Sequence, residues 1–211
     1  MTGWMQRATA LALSLGLAAT FLVSDLRAST SVAVPFEALV RESSAAAFVT
    51  PVSQTAVWEN DRIVTYTDAH VDTRVAGSVP ADDVWIRTLG GEVGDVGQRV
   101  EGEAVLAVGH PSLVFLRPAS VLPAGTTSVA STMPGVYSVT ARAQGQFPVS
   151  FGTAAVGTAR EPRIYRSSGV GATLAPERID RPILASDLLQ GMTVHDVLAT
   201  VVAAWGRVHA P

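Results

Sequence analysis

The chain has 211 residues, no cysteine and no lysine; all 15 basic residues are arginine, set against 18 acidic ones for a formal net charge of −3. That balance offers no basic stripe, which argues against nucleic-acid binding, and the missing cysteine excludes disulfides and a lipid-modified cysteine. Stability must then come from a packed core, and the length suffices for one ordinary domain with an appendage.

Residues 1–28 read as a secretory signal peptide. Arg7 supplies the positive start, Ala8 to Ser24 is almost wholly apolar, and small residues follow, with Ala28 as the last residue before cleavage. The apolar run is 17 residues long and includes Ser14 and Thr20, which is short for an anchor that needs about 20 apolar residues. No later run is long enough to span a membrane. The expected location is secreted or periplasmic.

Residues 29–155 carry the signals of a β-barrel domain. Pro35, Phe36, Leu39 and Val40 predict a short helix. Residues 47–58 and 63–75, rich in Val, Thr and aromatics and separated by the polar turn "ENDR", predict a β-hairpin. A third strand over 83–91 ends at a double glycine, and an apolar run from Leu113 to Leu116 is stopped by Pro118. Residues 135–151 suggest a second hairpin turning near Gln144 and Gly145, and 119–134 a mobile loop. The short strands, punctuated by Gly and Pro, predict a mainly β fold, a small antiparallel barrel or sandwich.

Residues 156–190 are polar and rich in Gly, Pro and Arg, and predict an extended or partly disordered run over the surface. Residues 191–211 predict a C-terminal amphipathic helix, capped by Thr193 with Asp196 three residues on. Val194, Val197, Leu198, Val201, Val202, Trp205 and Val208 form its apolar stripe, which must dock, in the first instance on its own chain.

The chemistry-bearing residues fall in two places. In "TYTDAHVDTRV" (65–75), Asp68, His70 and Asp72 alternate, so a strand sets them on one face with Tyr66 and Arg74. Thr65, Thr67, Ala69, Val71, Thr73 and Val75 make the better core face, which leaves the first set to solvent. The two aspartates stand about 13 Å apart along a straight strand, at about 3.3 Å per residue. Their short arms do not meet at one ion, so an ordinary Asp–His charge pair is the reading, with no metal and no cofactor. The second place is a loop crowded with Gly90, Gly91, Gly94, Gly97 and Gly102, with Arg99 among them. Its spacing does not match a phosphate-binding loop. It reads as a crossover between strands, or as a loop shaped for a partner. No H-E-x-x-H, G-x-S-x-G or G-x-x-x-x-G-K motif is present, although a triad assembled from distant segments needs no local motif.

The order of helix, hairpin, "VWIRTLGGEVGDVGQRVEG" and "GHPSLVFLRP" resembles a group of exported bacterial proteins of unknown function. Trp58, Ile63, Thr65, Gly90, Gly91, Val100, Gly102, Phe115, Leu116 and Pro118 carry the resemblance, over residues 36–118. More remotely it is similar to the OB-like barrel of netrin-like and metalloprotease-inhibitor domains, without their cysteines. The resemblance implies an OB-like barrel and an exported location, and no reaction. The expected function is a non-catalytic binding module for an envelope or extracellular protein, contacting it through Tyr66, Asp68, His70, Asp72, Gly90, Gly91, Gly94, Gly97 and Arg99. A hydrolase or metal-dependent enzyme with dispersed residues is the alternative, and a structural envelope component a third.

Overall fold

The computed structural model describes residues 31–119, 135–152, 161–171, 173–174 and 183–210. The predicted signal peptide, nearly all of the predicted 119–134 loop and parts of 156–190 lie outside the described residues.

The chain begins with β1 (Ser31–Val32) and α1 (Phe36–Arg41). Two long strands follow, β2 (Ala45–Glu59) and β3 (Arg62–Gly77), joined by a two-residue turn, as the polar "ENDR" predicts. β4 (Asp83–Leu89) pairs with β3, and a small hairpin, β5 (Gly91–Val93) with β6 (Val96–Gln98), comes next. β7 (Ser112–Pro118), β8 (Val136–Val139), a 3₁₀ turn (Arg142–Gly145) and β9 (Gln146–Ser150) complete the main sheet together with β10 (Arg163–Ile164). β11 (Thr173–Leu174) pairs with β1. The chain closes with α2 (Ala185–Leu189) and α3 (Val194–Val208).

The fold is mainly β, built on a seven-stranded sheet of order β10-β9-β7-β2-β3-β4-β8. β7 also pairs with β8, so β2, β3, β4, β8 and β7 form a closed circuit of paired strands. The sheet is mixed, not wholly antiparallel: β4 and β8 run parallel, at Trp85–Val136 and Ile86–Tyr137. A parallel pair needs a long crossover, and the chain makes one between these two strands by way of β5, β6 and β7.

The predicted second hairpin is a different object. β8 and β9 do not pair with each other. Both lie on the same edge of β7, β9 against Ser112–Val114 and β8 against Leu116–Pro118. The bend between them is the 3₁₀ turn, where Thr140 donates its N–H to the Phe115 carbonyl at 2.8 Å. Hydrophobic alternation on either side of a Gly is common to a hairpin and to a kinked strand, so the sequence could not separate them.

Alternate residues of β2 and β7 face two cores, which explains their continuous apolar runs. Ala45, Ala47, Val49, Val114 and Leu116 join Ala69, Val71, Val84, Ile86, Tyr137 and Val139 on the inner face. Ala46, Phe48, Leu113 and Phe115 face the helices, where Phe115 meets Phe36 and Phe147 edge-to-face, with ring centroids 6.3 Å apart in both pairs. Pro51 fits inside β2 because it lies at a register shift and beyond the last β7 partner, where no ladder N–H is lost.

α3 docks on its own chain, against α1 and β3. Thr193 caps it by accepting the Asp196 N–H at 3.1 Å. Val197, Val201 and Ala204 are fully buried, and Val194, Leu198, Trp205 and Val208 pack around them. Val202, placed in the stripe by spacing alone, is 52% exposed. Within the predicted surface run, Ile164 is buried in this same core and 185–189 form α2. Isolated apolar residues among arginines gave no periodicity to read.

Candidate functional site

The glycine-rich loop folds into one wall of a cleft of about 570 Å³, beside the Ile63 end of β3. The β5–β6 hairpin is fastened to β3 by backbone and side-chain bonds. Gly90 donates its N–H to the Ile63 carbonyl at 2.7 Å, and its own carbonyl accepts from Thr65 Oγ1 at 2.7 Å. Gln98 Oε1 accepts the Ile63 N–H at 2.6 Å. Two positions require glycine. Gly90 has φ 95° and Gly91 φ 132°, and a Cβ at Gly91 would stand 2.3 Å from Thr65 Oγ1. The close approach of loop to strand is what opens the cleft beside it.

The opposite wall is Glu103–Val105 with Ser168 and Gly169. The buried Gln146 side chain holds it in place, accepting from the Val105 N–H at 2.8 Å and from Ser167 Oγ at 2.9 Å. The floor carries Glu103, which is 9% exposed. Burial pushes its carboxyl above the ordinary range, against the opposing pull of the Ala104 N–H, Arg142, the Leu89 N–H and Arg87. Arg142 Nε approaches it at 3.9 Å. At the rim, Arg99 pairs with Glu101 at 3.3 Å, both exposed. Gly90, Gly91, Gly97 and Arg99 thus line the cleft, while Gly94 sits at the β5–β6 turn, outside it.

The β3 residues do not join this site, nor one another. His70 Nδ1 pairs with Asp83 Oδ1 across to β4 at 3.0 Å, and Asp72 accepts from Thr50 Oγ1 on β2 at 2.7 Å. The hydrogen bond to Asp83 raises the His70 pKa, helped by the Asp72 and Asp82 charges and opposed by desolvation. Asp68 is half-buried, beside Ser53 and Trp85 in the sheet register. The charge pair expected within the strand is therefore made with a neighbouring strand. Among the described residues no group of three or more His, Asp or Glu is placed to hold a metal ion.

Tyr66 corrects the predicted face. It is wholly buried, and Thr73, predicted for the core, is exposed. Around Thr73 the alternation is broken where β2 shifts register against β3, whereas at Tyr66 the register is unbroken and both faces of β3 are buried. Tyr66 donates its hydroxyl to Glu59 Oε1, and Arg87 grips Glu59 Oε2 through Nη2 at 2.8 Å and Nε at 3.2 Å. Burial first, and the Glu59 bond second, push the Tyr66 phenol up to about 12. The phenol therefore stays protonated at neutral pH and acts as a donor. This charge-assisted network braces the β2–β3 turn against β4. Glu59 and Arg87 have no sequence signal of their own, since they meet only through the β3–β4 register, Tyr66 opposite Arg87. Glu103, Gln146 and Ser168 likewise come together from separate segments.

No helix among the described residues is long and apolar enough to cross a membrane. No family model matches the chain, and no curated protein or solved structure matches it either.

Proposed function

We propose that the chain is an exported, OB-like β-barrel module that binds an envelope or extracellular protein through the glycine-rich cleft and catalyses no reaction. The observation that carries this reading is the construction of the cleft. One wall is a hairpin held by Gly90 and Gly91 in conformations that only glycine adopts at ease, and the other is clamped by Gln146. The result is a preformed concavity of mixed lining, in which Arg99, Glu101 and Glu103 stand among glycines and Leu89, Val100 and Val105, and it suits recognition of another chain by hydrogen bonds and apolar contact together. The closed circuit of five paired strands, with β4 and β8 parallel, supports the barrel reading. The apolar run Ala8–Ser24 after Arg7 supports export.

Native mass spectrometry of the protein taken from its own host's envelope and medium tests the whole reading. A chain beginning after Ala28 and carrying a stoichiometric protein partner is the expected result. A chain that carries a metal ion and no partner would instead favour the enzyme.

A further inference from the structure

β2 is paired with β3 along one side, but on its other side it meets β7 only from Ala45 to Val49. From Val52 to Trp58 no described strand pairs with that side; the chain touches it only at its start, where Gly109 donates its N–H to the Pro51 carbonyl at 2.8 Å and Gln54 Nε2 donates to the Leu106 carbonyl. The hairpin turn fixes which backbone groups face that open side. Asn60 and Asp61 both have positive φ, 48° and 59°, and close a two-residue turn between Glu59 and Arg62. Glu59 and Arg62 are then a hydrogen-bonded pair, and bonded and non-bonded pairs alternate from there. Val57, Thr55 and Ser53 bond to β3, while Trp58, Ala56 and Gln54 turn their N–H and C=O groups outward. Ile63, opposite Trp58, obeys the same alternation: its N–H and C=O point away from β2, to Gln98 at 2.6 Å and Gly90 at 2.7 Å.

This open edge reads V-S-Q-T-A-V-W, without a charge or a proline. Val52 is 57% exposed and Trp58 51%. Soluble proteins blunt such edges with lysine, proline or a cover, because a bare row of backbone groups templates another strand. The terminal strand of the sheet, by contrast, is blunted: β10 is two residues long and carries Arg163.

We propose that the β2 edge is a homodimer interface, in which a second copy pairs antiparallel with Gln54–Trp58 about a two-fold axis at Ala56. The occupant follows from symmetry and charge. The outward groups at 54, 56 and 58 are symmetric about Ala56, so an identical strand presents the matching row in register. Trp58 then lies opposite the second copy's Gln54, and Thr55 opposite its Val57. No charged side chain lies between Pro51 and Trp58 to oppose the approach of an identical strand, and the nearest, Glu59, is buried and paired with Arg87. Two-fold pairing uses up both edges, so the assembly closes at two copies and does not propagate.

Sedimentation velocity on the full chain produced in its own host, over a range of concentrations, tests this. A monomer–dimer equilibrium is expected. Ala56→Pro deletes one outward N–H and spares the ladder to β3, and should weaken the dimer about tenfold or more. Thr55→Lys sets two like charges across the interface and should weaken it in a way that added salt partly restores. Circular dichroism checks that each variant folds; if Ala56→Pro does not, Thr55→Lys decides. A wild-type chain that is monomeric at every concentration overturns the proposal, including one that captures a foreign strand instead. So does a dimer that a folded variant leaves unchanged.

Discussion

The two halves of the β2–β3 hairpin are held by different physics. Near the helices, Ala45–Val49 are sandwiched between two apolar clusters, to which β3 adds Val75 on one side and Val71 on the other, and the strands are fixed by packing. Towards the turn, the fixings are individual polar contacts: Glu59 with Tyr66 and Arg87, Gln98 on Ile63, Thr65 on Gly90. Packing tolerates rearrangement of side chains as long as volume is kept. A polar network fails when a single partner is lost, because the group left behind is buried and uncompensated. The cleft is built on the second kind of structure, where position is specified atom by atom.

Two truncations should separate the halves. Phe115→Ala opens a cavity between Phe36 and Phe147 in the helix-side core, and should cost about 3–5 kcal/mol of global stability. Denaturant titration measures it. Arg87→Leu strands the Glu59 carboxylate and should cost about 3 kcal/mol, the lower end for a broken buried pair because Arg87 keeps some solvent contact. Hydrogen exchange should show the Arg87 loss concentrated in 59–66 and 87–91, while the Phe115 loss spreads over the sheet and α1. Equal, global exchange in both variants would erase the distinction.

A smaller effect concerns the cleft floor. Burial holds the Glu103 carboxyl above its unfolded value of 4.5. The folded chain therefore binds the proton more tightly than the unfolded one. This contribution is full below the unfolded value and is lost as pH rises through the folded value. Glu103→Gln keeps an acceptor for the Ala104 N–H and removes the buried charge. Its Tm should match the wild type below the unfolded value and exceed it at neutral pH. Thermal unfolding across that range checks the sign, and a variant less stable at neutral pH would show that the Arg142 pairing outweighs the burial.

Much of the fold was legible because the pattern and the structure share a cause. The "ENDR" turn answers to the positive φ that Asn60 and Asp61 adopt, and the 3- and 4-residue spacing of Val194, Val197, Leu198 and Val201 follows from one helix face being buried. What escaped the sequence depended on pairing between distant segments. The kinked passage of β8 and β9 along β7 mimics a hairpin locally, and the parallel β4–β8 contact spans a crossover that no local spacing encodes. At the site, the glycines were visible because Gly90 and Gly91 answer to a backbone requirement, and Arg99 lay among them. Glu103 and Gln146 were not, since each gains its role only from neighbours far along the chain. Along β3, Asp68, His70 and Asp72 alternate cleanly, but the partners of His70 and Asp72, Asp83 and Thr50, come from neighbouring strands that no local spacing reveals.

Whether a partner sits in the cleft can be read directly in cells. A photo-crosslinking residue placed in living host cells at Arg99 or Glu92, on the glycine-rich wall, should join the chain to one dominant protein. The same residue at Asp72, on the exposed face of β3, should not. Crosslinks from Asp72 with none from Arg99 or Glu92 would contradict the account and move the binding surface to the strand face.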